Sequence, residues 1–291
     1  MPALKDLNTL LVVTNSCNMD CPFCYQEHTD DRMTSETAIA SVKKYHDRIH
    51  RLIFFGGEPL LNSKVILDVM NEFPDLEYAI MTNMTVPLDV ERREVLKRCN
   101  YITTSYSVDR FSNNHLFKRY LEQLTWLRSI KKDYELLLTI TKDQLEVPPE
   151  ELAILISIIG PSNVIFDRLF DYKGISITKD QQYYNDVDAY IGELTKYMPL
   201  RINEFYKKAK ETQTEHHAVY CGSCLKHLII LPDGNTGNLC ERQKFATRFK
   251  KCLTCDITEY CGGDCLMYQD ICAFPKESFK KVIAGEYDEK K

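Results

Sequence analysis

Leu10-Leu11-Val12-Val13-Thr14-Asn15-Ser16-Cys17-Asn18-Met19-Asp20-Cys21-Pro22-Phe23-Cys24-Tyr25 passes from an apolar run straight into three cysteines. Leu10–Thr14 has the short, β-branched composition of a strand. The cysteines follow at once, so they lie on a loop at that strand's carboxyl end. Thiolates are soft ligands that favour iron–sulfur clusters or zinc. Three of them within eight residues can wrap one cubane cluster. A [4Fe–4S] cluster ordinarily takes four cysteines, so three leave one iron open to bind something else. The alternative is a zinc site completed by His28 or by a distant cysteine.

Working outward, strand-like runs recur at Leu52–Phe55, Tyr78–Thr82, Ile102–Ser107, Glu135–Ile140 and Val164–Leu169. Amphipathic stretches of helical length separate them: Ser35–His50, Lys64–Phe73, Asp89–Arg98, His115–Lys131 and Glu150–Ile159, with Asp180–Tyr197 as a sixth. Pro74, Pro87 and the pair Pro148-Pro149 mark breaks. Repeated strand–helix units with nearly continuous apolar strands imply a parallel sheet covered on both faces. The expected fold is α/β, a curved partial (β/α)6 TIM-like barrel over residues 1–214, followed by a small C-terminal iron–sulfur domain over 215–291. A doubly wound open sheet is the alternative. In either, reactive residues belong at the carboxyl ends of strands.

Gly56-Gly57-Glu58-Pro59 ends the second predicted strand. Glycines allow a close backbone approach to a ligand, and a glutamate accepts hydrogen bonds from an ammonium group. The Cys17-x3-Cys21-x2-Cys24 spacing, with Phe23 before the third cysteine and Tyr25 after it, resembles the signature of the radical S-adenosylmethionine (SAM) superfamily. Gly56, Gly57, Glu58 and Pro59 match that family's GGEP motif, which binds the SAM amine. The resemblance implies that the open iron chelates the amino and carboxylate groups of SAM. It further implies that reductive cleavage yields a 5′-deoxyadenosyl radical that takes a hydrogen from substrate. Thr82-Asn83 resembles the family's third-strand motif, although Met84 replaces the usual glycine, and Ser105-Tyr106-Ser107-Val108-Asp109 resembles its fourth-strand pattern. By that resemblance Asn83 and Ser107 reach the ribose or carboxylate of SAM. Ordinary strand-end capping is the competing reading of both. Cys99, at a helix end, reads as a small buried hydrophobe.

The remaining eight of the twelve cysteines crowd the tail: Cys221, Cys224, Cys240, Cys252, Cys255, Cys261, Cys265 and Cys272. A segment so poor in large apolar residues needs staples to hold a shape. Two closed four-cysteine sites would use them all; two zinc ribbons are the alternative. The Cys252-x2-Cys255-x5-Cys261-x3-Cys265 core resembles the SPASM extension of peptide-modifying radical SAM enzymes. That resemblance implies one auxiliary [4Fe–4S] cluster on Cys221, Cys224, Cys240 and Cys265 and another on Cys252, Cys255, Cys261 and Cys272, three clusters in all. Gly234 and Cys240 are spaced by one residue more than is usual there. Related sulfatase-maturing enzymes place an acid where Glu241 stands, which nominates Glu241 as a general base; a solvated glutamate beside Arg242 is the alternative.

The implied activity is that of a radical SAM oxidoreductase or peptide maturase. It would modify a peptide or protein side chain by thioether or carbon–carbon crosslinking or by oxidation, with a reductant such as flavodoxin or ferredoxin. A dehydrogenase or a cofactor- or tetrapyrrole-type enzyme acting on a small molecule is the alternative. Residues 1–8 precede the first strand, which leaves no room for the leader-binding domain many peptide maturases carry; a leader is expected to bind a separate protein, the barrel edge, or nothing. With a formal net charge of -5, the chain offers no basic footprint for nucleic acid or an anionic membrane. No apolar run reaches the ~20 residues a bilayer span needs, and the expected location is cytoplasmic.

Overall fold

The computed structural model describes residues 7–24, 26, 28–111, 114–169, 181–194, 196–198 and 227–237. Strand and helix alternate: β1 Leu7–Thr14, α1 Ser35–Tyr45, β2 Ile49–Gly56, α2 Ser63–Glu72, β3 Glu77–Thr82, α3 Val90–Arg98, β4 Tyr101–Tyr106 and α4 Asn114–Ser129. Then come β5 Glu135–Ile140, α5 Lys142–Leu145, α6 Pro149–Ile159, β6 Asn163–Arg168, α7 Gln181–Leu194, β7 His227–Ile230 and β8 Thr236–Gly237. All six expected strands are present. The first expected helix ends sooner than its periodicity suggested: His46–Arg48 is a tight helical turn, and Ile49 and His50 already belong to β2.

The elements fall into two compact units. The first is built from β1–β4, α1–α4, β7 and β8, with strand order β4-β3-β2-β1-β7-β8. β1 to β4 and β7 run parallel, and β8 turns back antiparallel on β7. β1 is central, flanked by β2 and β7, and all but one of its residues are buried, as its unbroken apolar text requires. β2 instead alternates, with Leu52 and Phe54 wholly buried on one face. His227–Ile230, in the cysteine-rich tail, was not read as a strand; a four-residue apolar run carries no period of its own. Gly234, at φ +82°, makes the turn that returns β8.

In the second unit β5 and β6 are neighbours, with α5, α6 and α7. Helix α6 is delimited by residues legible in the text. Pro149 sits in its first turn with Glu150 and Glu151, and Gly160 closes it in the left-handed conformation at φ +69°. Tyrosines of α7 bolt the helix down: Tyr183 donates to Ile140 O, Tyr184 to Leu169 O (2.8 Å) and Tyr190 to Val147 O (2.8 Å).

Candidate active site

Because β1 to β4 are parallel, their carboxyl ends share one edge, and the loops leaving that edge build the site. The cysteine loop leaves β1 and is closed at its neck. Met33 N–H donates to Val13 O, Asn15 N–H to Asp31 O, Thr14 Oγ1 to Asp31 O and Ser16 Oγ to Thr29 O, each at 2.9 Å. Asn62 seals the neck from behind, its amide donating to Val13 O (2.8 Å) and Met33 O (3.0 Å). On the stretch between, Cys17, Cys21 and Cys24 are each half-buried, and all three thiols are free.

The glycines of Gly56-Gly57-Glu58-Pro59 serve close approach, but what they approach is this neck. A Cβ on Gly56, at φ +142°, would lie 2.1 Å from Thr14 O; one on Gly57 would lie 2.3 Å from Ser16 O. The close fit lets Gly57 N–H donate to Thr14 O (2.9 Å) and Glu58 N–H to Ser16 O (2.8 Å). Pro59 then starts a tight helical turn that Glu58 caps.

Glu58 is wholly buried. Its Oε1 accepts from Leu60 N–H (3.0 Å) and Thr82 Oγ1 (2.8 Å), and its Oε2 from Asn83 N–H (2.7 Å). A carboxylate has about four acceptor positions, so Oε2 retains room for one more donor. Burial pushes the Glu58 carboxyl up to about 7, and those hydrogen bonds only partly offset it. Burial likewise pushes the Cys17 thiol up to about 11 and raises Cys24; the neighbouring thiols add to the effect, and Arg110 opposes it at Cys24.

Asn83 and Met84 continue from β3. Met84 is fully buried and holds φ +54°, the left-handed region that the usual glycine would occupy without strain. Gln123 of α4 pins it by donating to its carbonyl (2.5 Å). Arg110, which sequence reading passed over, places its guanidinium 5.6 Å from the Phe23 ring centre and donates to Ser105 Oγ. Ser107 follows β4; it is wholly buried and its hydroxyl has no hydrogen-bond partner among the described residues. Cys24 Sγ lies 3.5 Å from His28 Nε2. Asn18 and Thr85, which hydrogen-bond to Asn83 and to each other, were also missed; for Asn18 a polar residue directly after Cys17 was the available signal. Tyr25, Glu241 and the cysteines at 221, 224, 240, 252, 255, 261, 265 and 272 lie outside the described residues.

The three thiols do not already surround a metal-sized centre; among the described residues no three Cys, His, Asp or Glu side chains do. What fits a cluster is the donor chemistry: three soft thiols on one closed loop, near enough to raise one another's pKa. In this unit, parallel strands end in a three-thiol loop beside a Gly-Gly-Glu-Pro turn. Residues 11–152 match the family model described as Radical SAM superfamily. Such a domain implies a [4Fe–4S] cluster and SAM.

Among relatives, an uncharacterized protein of Methanocaldococcus jannaschii is 25% identical over 222 residues, 69% of this chain and 76% of that protein. Two solved structures share the fold. Native anSMEcpe with bound AdoMet superposes with a TM-score of 0.72 at 14% identity, over 97% of this chain and 96% of its own. SuiB of Streptococcus suis, bound to the precursor peptide SuiA, gives 0.63 at 13% identity, over 90% and 72%. Among the described residues no helix is long and apolar enough to cross a membrane.

Proposed function

We propose that this chain is a radical SAM enzyme that modifies a side chain of a peptide or protein. The observation that carries the radical chemistry is the closed three-thiol loop zipped to Gly57 and Glu58. Cys17, Cys21 and Cys24 would hold the [4Fe–4S] cluster. When bound, the reduced cluster would supply the one electron that breaks the C5′–S bond of SAM, giving methionine and a 5′-deoxyadenosyl radical able to take a hydrogen atom from substrate. The chain's own residues orient that pair. Gly56, Gly57 and Pro59 shape the turn beside the loop, and Glu58 Oε2 keeps an acceptor position for the SAM ammonium. Phe23, with Arg110 over its ring, flanks the third cysteine, and Tyr25 follows it. The Ser107 hydroxyl, buried and without a hydrogen-bond partner among the described residues, would be a donor to SAM at the end of β4.

A peptide substrate is supported by the fold shared with SuiB, which was solved bound to a precursor peptide. In this reading residues from about 215 onward carry two auxiliary clusters on their eight cysteines, while 227–237 also add β7 and β8 to the first unit. Glu241 is the proton acceptor when the substrate radical is oxidised, the reductant is a flavodoxin or ferredoxin, and the enzyme works in the cytoplasm.

Anaerobic purification and reconstitution test the reading. About twelve irons per chain are expected for three cubanes, with 5′-deoxyadenosine formed on reduction in the presence of SAM. The Cys17→Ala, Cys21→Ala, Cys24→Ala triple variant should lose about four irons and all of that product. Deuterium transferred from a labelled peptide into 5′-deoxyadenosine establishes the substrate class. Transfer only from small molecules would replace the peptide by a metabolite, and a wild-type protein that leaves SAM intact ends the proposal.

A further inference from the structure

Three side chains at the end of β3 and the start of the cysteine loop form a closed ring of hydrogen bonds. Asn83 Nδ2 donates to Asn18 Oδ1 (3.0 Å), Asn18 Nδ2 to Thr85 Oγ1 (2.9 Å), and Thr85 Oγ1 to Asn83 Oδ1 (2.7 Å). Thr85 N–H also donates to Asn83 Oδ1 at 2.9 Å. The cycle admits one sense only: Asn83 Oδ1 takes two donors from Thr85, so its amide nitrogen must face the loop. Asn83's backbone is fixed too, by the bond from its N–H to Glu58. One Nδ2 hydrogen goes to Asn18. The other is directed at Cys17 Sγ, 3.8 Å away.

We infer that Asn83 sets the reduction potential of the cluster held by Cys17, Cys21 and Cys24, through an amide N–H···S hydrogen bond to Cys17 that Asn18 and Thr85 keep aimed. This rests on the radical SAM reading above. Reducing a cluster adds negative charge to its sulfurs, and a donor on a ligating sulfur stabilises that charge and raises the potential. A free asparagine could turn its oxygen toward the thiolate and do the opposite. The ring forbids that rotation, and each of its bonds polarises the next. Both ends of the Asn83 amide are therefore used within the protein, and the contact with SAM that the motif led one to expect is replaced by a contact with the cluster's own ligand. Asn83 and Thr85 are buried, so the two bonds between them are shielded from water, while Asn18 and Cys17 lie nearer the surface.

The test is a potentiometric titration of the reconstituted holoprotein without SAM, followed by electron paramagnetic resonance. The relevant signal is the one missing from the triple cysteine variant. Asn83→Leu keeps the shape and removes the donor. The ratio of reduced to oxidised cluster at a fixed potential should fall about three- to tenfold, tenfold being a midpoint about 59 mV more negative for one electron. Thr85→Val keeps the backbone N–H that Thr85 gives Asn83 Oδ1 but removes the hydroxyl that closes the ring, so the amide is held less firmly, and the midpoint should shift in the same direction by less. Thr85→Ser should restore it.

An Asn83→Leu protein whose midpoint is unchanged while SAM binding weakens would make Asn83 a SAM ligand and overturn the inference. If Asn83→Leu takes up no iron, Thr85→Val decides: a wild-type midpoint there overturns it equally. A wild-type protein with no [4Fe–4S] cluster on these cysteines would instead sink the radical SAM reading, a result distinct from either.

Discussion

The cysteine loop and the turn behind it are built in opposite ways. Cys17, Cys21 and Cys24 are half-exposed, on a loop hydrogen-bonded at its neck. Glu58, Thr82 and Thr85 are almost wholly buried, and each has defined partners: Glu58 alone accepts three protein hydrogen bonds. On the proposed reading ligands must reach the first region, so it cannot be packed over. Precision is therefore supplied from the second, where bonds shielded from water hold the ends of β1, β2 and β3 in register.

Replacing a residue of the buried region should thus cost more than its size suggests. Gly57→Ala is the severest case. The new methyl would sit 2.3 Å from Ser16 O and 2.7 Å from Asn15 O, both backbone. It can be relieved only by parting β2 from the neck. A loss on the order of 4 kcal/mol or more, or no soluble protein, is expected by urea unfolding; wild-type stability would break the contrast between the two regions.

Glu58→Gln sharpens the contrast through pH. The folded pKa of Glu58 is raised to about 7 from an ordinary 4.5, so its contribution to stability is full below pH 4.5. That contribution is lost as pH rises through about 7, by roughly 3 kcal/mol in all. Glutamine does not titrate. The stability of wild type relative to Glu58→Gln should therefore fall between pH 5 and 8 in denaturant titrations; a difference flat across that window would show that Glu58 carries no such shift.

Met84→Gly sets two effects against each other. Glycine relieves the φ of +54°, worth about 1 kcal/mol. It also removes a fully buried side chain, worth about 1.5–3 kcal/mol before any cavity cost. Burial wins, and a net destabilisation of about 2 kcal/mol should appear in the same unfolding assay. The smallest effect belongs to Cys99→Ala. Cys99 is buried away from the site with its thiol pushed up to about 12 by burial. Its loss should cost about 1 kcal/mol and leave iron content unchanged, and in the native protein iodoacetamide should not label it.

Legibility followed the range of the forces involved. The six strands were readable because each is a local apolar run, and α6 because Pro149 and Gly160 punctuate it. The end of α1 was misplaced because Tyr45, His46 and His50 continue an amphipathic pattern that β2 pre-empts by pairing with β1. β7 was missed because four residues become a strand only beside β1. Glu58 and Asn83 were marked by their motifs, but their partners were not.

The sequence by itself determined the chemistry available: three thiols at fixed spacing after one strand and Gly-Gly-Glu-Pro after the next. Covalent spacing survives any fold. Only the tertiary structure decided what those groups touch. The glycines face the Thr14–Ser16 backbone, Glu58 takes donors from β3, and the Asn83 amide turns toward Cys17. Those bonds join residues brought together by parallel strands, and no local pattern records which strand lies next to which.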